Sequence, residues 1–169
     1  ARRMTGTHSL LFPKALETLA YALEGQQRQP IHGDLHPENI LVSPSQTIIL
    51  DFEHMTVASR YLDVAALLEN HVAFLDEAQL EHTLKTYHAT LNSRDSFEKL
   101  ALDYSYCGLF EDLRLQGSFA AYAYGLDAGA LATVREHYTK RAVLHIERIR
   151  SLDSYQKENA SLLEELILP

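Results

Sequence analysis

Apolar residues recur at helical spacing along most of the chain, and the main interruption is a single short β-favouring stretch. From Pro13 to Gln27, Leu16, Leu19, Ala20 and Leu23 share one helical face, and Pro13 suits a first turn, where its missing N–H is not needed. The run LDVAALLENHVAF offers Leu62, Ala65, Ala66, Leu68 and Val72 to a second buried face. Leu80, Leu84, Tyr87 and Leu91 predict a third helix from about Glu77 to Leu91. The segment from Phe97 to Tyr124 is too apolar for a solvent-bathed helix and is read as central core, with Gly108 marking close helix contact. Val134, Tyr138, Ala142, His145 and Ile149 define one face of a helix from Leu131 to Leu152, and Ser161 to Leu168 forms a short amphipathic ending.

The interruption runs from Ile31 to Asp51, IHGDLHPENILVSPSQTIILD. Ile31 extends out of the first helix, past Gly25 and Pro30, into a loop containing His32, Gly33 and Asp34. Ile40–Val42 and Thr47–Leu50 are strand-like, and Ser43, Pro44, Ser45 and Gln46 between them are turn residues, so a hairpin is expected. If Val42 pairs with Thr47, Asn39 falls opposite Leu50 and beside Asp51 at the open end of that hairpin. The fold class expected is mainly α with a small β-hairpin, in one unit spanning residues 1–169.

Composition narrows the partners. The 169 residues suffice for a real core, since folding at this size can bury about 70% of the unfolded surface. A formal charge of −8 argues against a nucleic-acid or anionic-membrane surface and inclines the reading toward a cationic ligand. Cys107 is the only cysteine, which excludes an internal disulfide and a multi-cysteine zinc site and fits a reducing, cytoplasmic setting. No apolar run approaches the roughly 20 residues that span a bilayer, and the first residues do not read as a signal peptide.

The chemistry concentrates where the pattern breaks. Asp34 and Asn39 lie on either side of Pro37, so a rigid irregular loop, rather than one helical face, brings them together. Phosphoryl transfer needs a carboxylate that accepts or orients a hydroxyl proton and hard oxygen ligands for magnesium; Asp34 suits the first task, Asn39 and Asp51 the second. His, Gly, Asp and Asn at these fixed spacings arise by chance in about one chain in a thousand of this length. A metallophosphoesterase would add clusters such as Gly-Asn-His, which are absent, and a zinc site on His32 and His36 fits these oxygen-rich surroundings less well than magnesium.

HGDLHPEN followed by ILDFE resembles the catalytic loop and metal-binding motif of the aminoglycoside phosphotransferase and choline kinase group, relatives of the protein kinases. The resemblance implies the helical C-terminal lobe of a protein kinase-like fold. It implies Asp34 as catalytic base, Asn39 and Asp51 as magnesium ligands, and ATP as phosphoryl donor. His32 would support the loop from below, and Asp63 in YLDVA would brace it through backbone hydrogen bonds, although Ser59, Arg60 and Tyr61 replace the glycine, aspartate and proline usual before that helix. His36 and Glu53 are candidate phosphate or substrate contacts, with local hydrogen bonding the alternative for His36. Asp103, Glu111 and Asp112 on the central helix are candidate acceptor contacts, but each is read first as a solvated or capping carboxylate.

The connection from Asp51 to Asp63 is too short for a protein-kinase activation segment and no Ala-Pro-Glu follows, which points to a small-molecule kinase. No glycine-rich phosphate loop or strand lysine precedes the motif, so the nucleotide-binding lobe is expected to come from the same longer chain or another one. The resemblance then implies half of an O-phosphotransferase that moves the γ-phosphoryl group of ATP to a small-molecule hydroxyl. The alternative is a catalytically inactive kinase-like binding or regulatory module.

Overall fold

The computed structural model describes residues 8–70, 75–91, 93–121, 128–153 and 157–167. Helix α1 (His8–Glu24) leads into strand β1 (Arg28–Ile31), a loop, a 3-10 turn (Pro37–Asn39) and the hairpin strands β2 (Ile40–Val42) and β3 (Thr47–Ile49). A second 3-10 turn (Phe52–His54) and strand β4 (Thr56–Ser59) return the chain to helix α2 (Arg60–Leu68). Helices α3 (Glu77–Thr90), α4 (Phe97–Ala121), α5 (Ala128–Leu152) and α6 (Lys157–Leu163) follow, with a last 3-10 turn at Glu164–Leu166. No helix among the described residues is long and apolar enough to cross a membrane.

The fold is mainly helical, as the periodicity predicts, with two local corrections. Helix α1 starts ahead of Pro13, so the proline lies inside it and not in the first turn. Two antiparallel pairs replace the single expected hairpin. Besides β2 and β3, β1 pairs with β4 in the register Arg28↔Ser59 to Ile31↔Thr56. That ribbon closes the base of the loop-and-hairpin excursion.

Helix α4 is the axis of the core. Tyr106 and Leu109 pack with Ala15 and Leu19 of α1, Ala142, Ile146 and Ile149 of α5, and Ala160 and Leu163 of α6. Leu100, Tyr104 and Cys107 turn toward Tyr61 and Ala65 of α2 and Leu80 and Leu84 of α3. An apolar helix gains from burial on every side, at roughly 1.5–3 kcal/mol per large side chain, which explains the even apolar content of α4. Gly108 permits the crossing with α5, because a Cβ there would collide with His145 Nε2. Val72, expected on the α2 face, lies outside the described residues.

Local caps fix the helices that flank the motif. Ser59 Oγ accepts the Tyr61 amide at 3.2 Å to start α2. Asp76 and Gln79 form a capping box at the start of α3. A buried polar knot ties α4 to the ribbon: Gln26 Nε2 donates to the Asp103 carbonyl at 3.0 Å, and Gln26 Oε1 accepts from the Ser59 hydroxyl and from Cys107 Sγ. Burial pushes the Cys107 thiol up to about 12, so it is an inert core group.

Leu109→Ala should lower stability by about 2–5 kcal/mol, because Leu109 is fully buried where α4 crosses its neighbours. Urea unfolding measures this, and a loss below about 1 kcal/mol would show that the crossing is not the core.

Candidate active site

The loop after β1 must turn sharply beneath the returning chain. Gly33 makes this possible: it sits at φ +83°, and a Cβ on it would collide with the His54 carbonyl oxygen. The adjacent backbone amides are held from α2. Asp63 Oδ2 accepts the His32 N–H at 2.7 Å and Oδ1 accepts the Gly33 N–H at 2.9 Å. Asp63 reaches this position because β4 leads directly into α2 while β4 itself is paired to β1.

His32 is buried and connects two parts of the motif. Its Nε2 lies 2.6 Å from the Leu50 carbonyl oxygen and its Nδ1 accepts the Asp34 N–H at 3.3 Å. A carbonyl only accepts, so the proton lies on Nε2 and both ring nitrogens are matched. The ring also leans on Phe52, with centroids 4.8 Å apart. The residue before Asp51 is thereby tied to the residue that precedes Gly33 and Asp34.

The hairpin forms in the register expected from sequence, with Val42 opposite Thr47 and Ile40 opposite Ile49. The Leu50 N–H donates to the Asn39 carbonyl at 2.9 Å, so Asn39 stands beside Leu50, the residue before Asp51, at the open end. Asn39 is buried, and its Nδ2 donates to the Asp34 carbonyl at 3.1 Å and to His36 Nε2 at 3.2 Å. Asp51 is exposed and adopts φ 63°, ψ 62°. Among the described residues it is the only non-glycine at positive φ, a strained conformation of the kind that collects at functional sites.

His36 directs both ring nitrogens into the loop. Nδ1 meets Glu38 Oε2 at 2.7 Å, Nε2 accepts from Asn39, and Asp34 Oδ2 lies 3.6 Å from Nε2. This is the local bonding given above as its alternative. Glu53 is exposed on the 3-10 turn, 3.5 Å from His54 Nε2, and does not line the cavity described next.

Asp34 lies at the wall of a cavity of about 380 Å³, a volume suited to a small molecule. Asp63 and His54 share the wall, and α4 contributes Phe110, Glu111 and Arg114. Glu111 is buried and ion-paired to Arg114 at 2.7 Å. Burial pushes its carboxyl above the ordinary range; Arg114 opposes the shift, and the charges of Asp34 and Asp63 add to it.

The solvated reading of the α4 carboxylates is therefore wrong. Asp103, Glu111 and Asp112 are all buried, on faces of α4 that pack inward, while Phe110 and Arg114 beside them are exposed. Arg114 is absent from the sequence-based candidates; its only signal is an i,i+3 charge pair with Glu111.

Asp63→Asn should destabilise the chain by about 1–3 kcal/mol, because one of two backbone donors would face an amide N–H₂ instead of an oxygen. Chemical denaturation tests this, and unchanged stability would show that the carboxylate is not required to hold the loop.

The model of the phosphotransferase enzyme family matches residues 3–100, more than half of the chain. Among solved structures, a choline/ethanolamine kinase family protein from Mesorhizobium loti is similar in fold, with a TM-score of 0.50 at 15% sequence identity. The alignment covers 100% of this chain and 53% of that one, so the chain spans about half the length of that neighbour. No curated protein matches the sequence at a significant level. The match extends from α1, through the braced loop and its hairpin, into the start of α4, and on that basis the chain belongs to the phosphotransferase enzyme family.

Proposed function

We propose that this chain is the catalytic and acceptor-binding half of an ATP-dependent small-molecule O-phosphotransferase. The observation that carries the reading is Asp34, held at the wall of a small-molecule cavity by a loop whose amides are fixed by Asp63. From that position the Asp34 carboxylate would accept or orient the proton of an acceptor hydroxyl.

The residues at the hairpin mouth fit magnesium. Asn39 commits its Nδ2 to the loop, which leaves its amide oxygen as a hard ligand, and Asp51 is an exposed carboxylate next to it in the chain fold. Magnesium bound there would neutralise charge on the phosphate oxygens of ATP. His32 would keep the two ligand-bearing segments in register through its bonds to Leu50 and Asp34.

The exposed apolar hairpin favours a nucleotide-binding lobe supplied by the same longer polypeptide or by another. Leu41, Val42, Ile48 and Ile49, on both faces of the hairpin, and Phe52 on the turn after it are all large apolar side chains left exposed. The acceptor would enter beside Glu111, whose carboxylate joins Asp34 and Asp63 in a largely acidic wall and favours a cationic group near the reacting hydroxyl.

Asp34→Ala and Asp51→Ala in the full-length protein should each reduce ATP turnover by about a hundredfold or more, with melting temperatures close to that of the parent. Steady-state kinetics with a panel of hydroxylated amines provides the measurement. Turnover retained in either variant would overturn the assignment, and a parent protein that binds acceptor but never turns over ATP would favour the inactive binding module.

A further inference from the structure

Outside the cavity lining, charged and polar groups from three helices meet in the core. Glu69, at the C-cap of α2, and Asp112, on α4, have fully buried side chains, and His145, on α5, is 2% exposed. One oxygen of each carboxylate and one nitrogen of the imidazole lie within 4.8 Å of one another. His145 Nε2 is 3.1 Å from Glu69 Oε1 and 3.7 Å from Asp112 Oδ2.

Hydrogen bonding does not account for this arrangement. Neither Asp112 oxygen makes a hydrogen bond, nor does His145 Nδ1, although all three atoms are buried, and His145 Nε2 has Glu69 Oε1 alone within hydrogen-bond reach. Native interiors rarely leave such groups unmatched, and an ion is one of the few things that resolves them. The separation from His145 to Asp112 is beyond hydrogen-bond reach. Both measured separations instead lie on either side of the ~3.4 Å expected between ligand atoms of a tetrahedral zinc ion with bonds of about 2.1 Å.

The surroundings have the form of a supported ligand set. Glu69 Oε1 accepts from the Tyr104 hydroxyl, and Glu69 Oε2 is held by the Arg141 guanidinium, which also donates to the Leu75 carbonyl at 3.2 Å. Gly108 leaves the space that the His145 ring occupies.

We propose that Glu69, Asp112 and His145 form a buried structural site for a divalent transition-metal ion of the zinc type, tying the C-terminal end of α2 to α4 and α5. The imidazole and two carboxylates suit zinc better than magnesium. The site is separate from Asn39 and Asp51 and does not depend on the proposed phosphotransfer.

The test uses tag-free full-length protein, stripped with a chelator and titrated with Zn²⁺ alone, with bound metal counted by elemental analysis. One zinc per chain should bind and raise the melting temperature. Asp112→Asn and His145→Gln should each weaken binding by about tenfold to a hundredfold. Asp51→Ala should bind zinc as the parent does. Co²⁺ substitution should give the visible absorption of a tetrahedral site in the parent and lose it in Asp112→Asn, which keeps the decision open if His145→Gln fails to fold. No stoichiometric zinc in the parent, or binding unchanged by Asp112→Asn, would overturn the proposal. So would a melting temperature that responds to pH and not to zinc, since the cluster would then hold a proton.

Discussion

The motif loop depends on one carboxylate. His32 and Gly33 point their N–H groups away from any strand, and such groups need acceptors if the loop is to keep one shape. Asp63 supplies both, with charge-assisted bonds worth about 1.5–3 kcal/mol each. The loop therefore takes its position from α2, and α2 is held at its other end, where Glu69 meets Tyr104 of α4 and Arg141 of α5. The placement of Asp34 is in this sense a property of the helical core.

A second dependence runs through His32. Its imidazole accepts from the backbone of Asp34 and donates to the backbone of Leu50, so segments on either side of the hairpin share one ring. Asn39 repeats the pattern, with its side chain bonded to Asp34 and its carbonyl to Leu50. The three residues with candidate chemistry are thus linked through short bonds among their neighbours. The backbone strain falls on Asp51, at the edge of this mesh.

The parts legible in the sequence were those set by short-range rules. The hairpin register follows from one turn and two apolar runs, and Val42 does pair with Thr47. The α5 face follows from helical period, and Tyr138, Ala142, His145 and Ile149 are all buried. The ribbon of β1 with β4 was not legible, because each strand has only four residues, one contains Pro30, and their pairing is long-range. The carboxylates of α4 were misread for a related reason. Apolar residues are spread around α4 with no single stripe, so its own spacing does not show which of its carboxylates face inward; the neighbours that bury Asp112, such as His145 of α5, are distant in sequence.

The ribbon also bears on the chain as a polymer. By pinning Ile31 opposite Thr56, it makes the intervening residues a closed loop whose ends no longer depend on what happens at its tip. The entropy of closing such a loop grows only logarithmically, about 0.6 kcal/mol for each doubling of length. The turn from Ser43 to Gln46, bonded mainly to itself, is therefore a position where added residues would cost little and leave the anchored mouth in place.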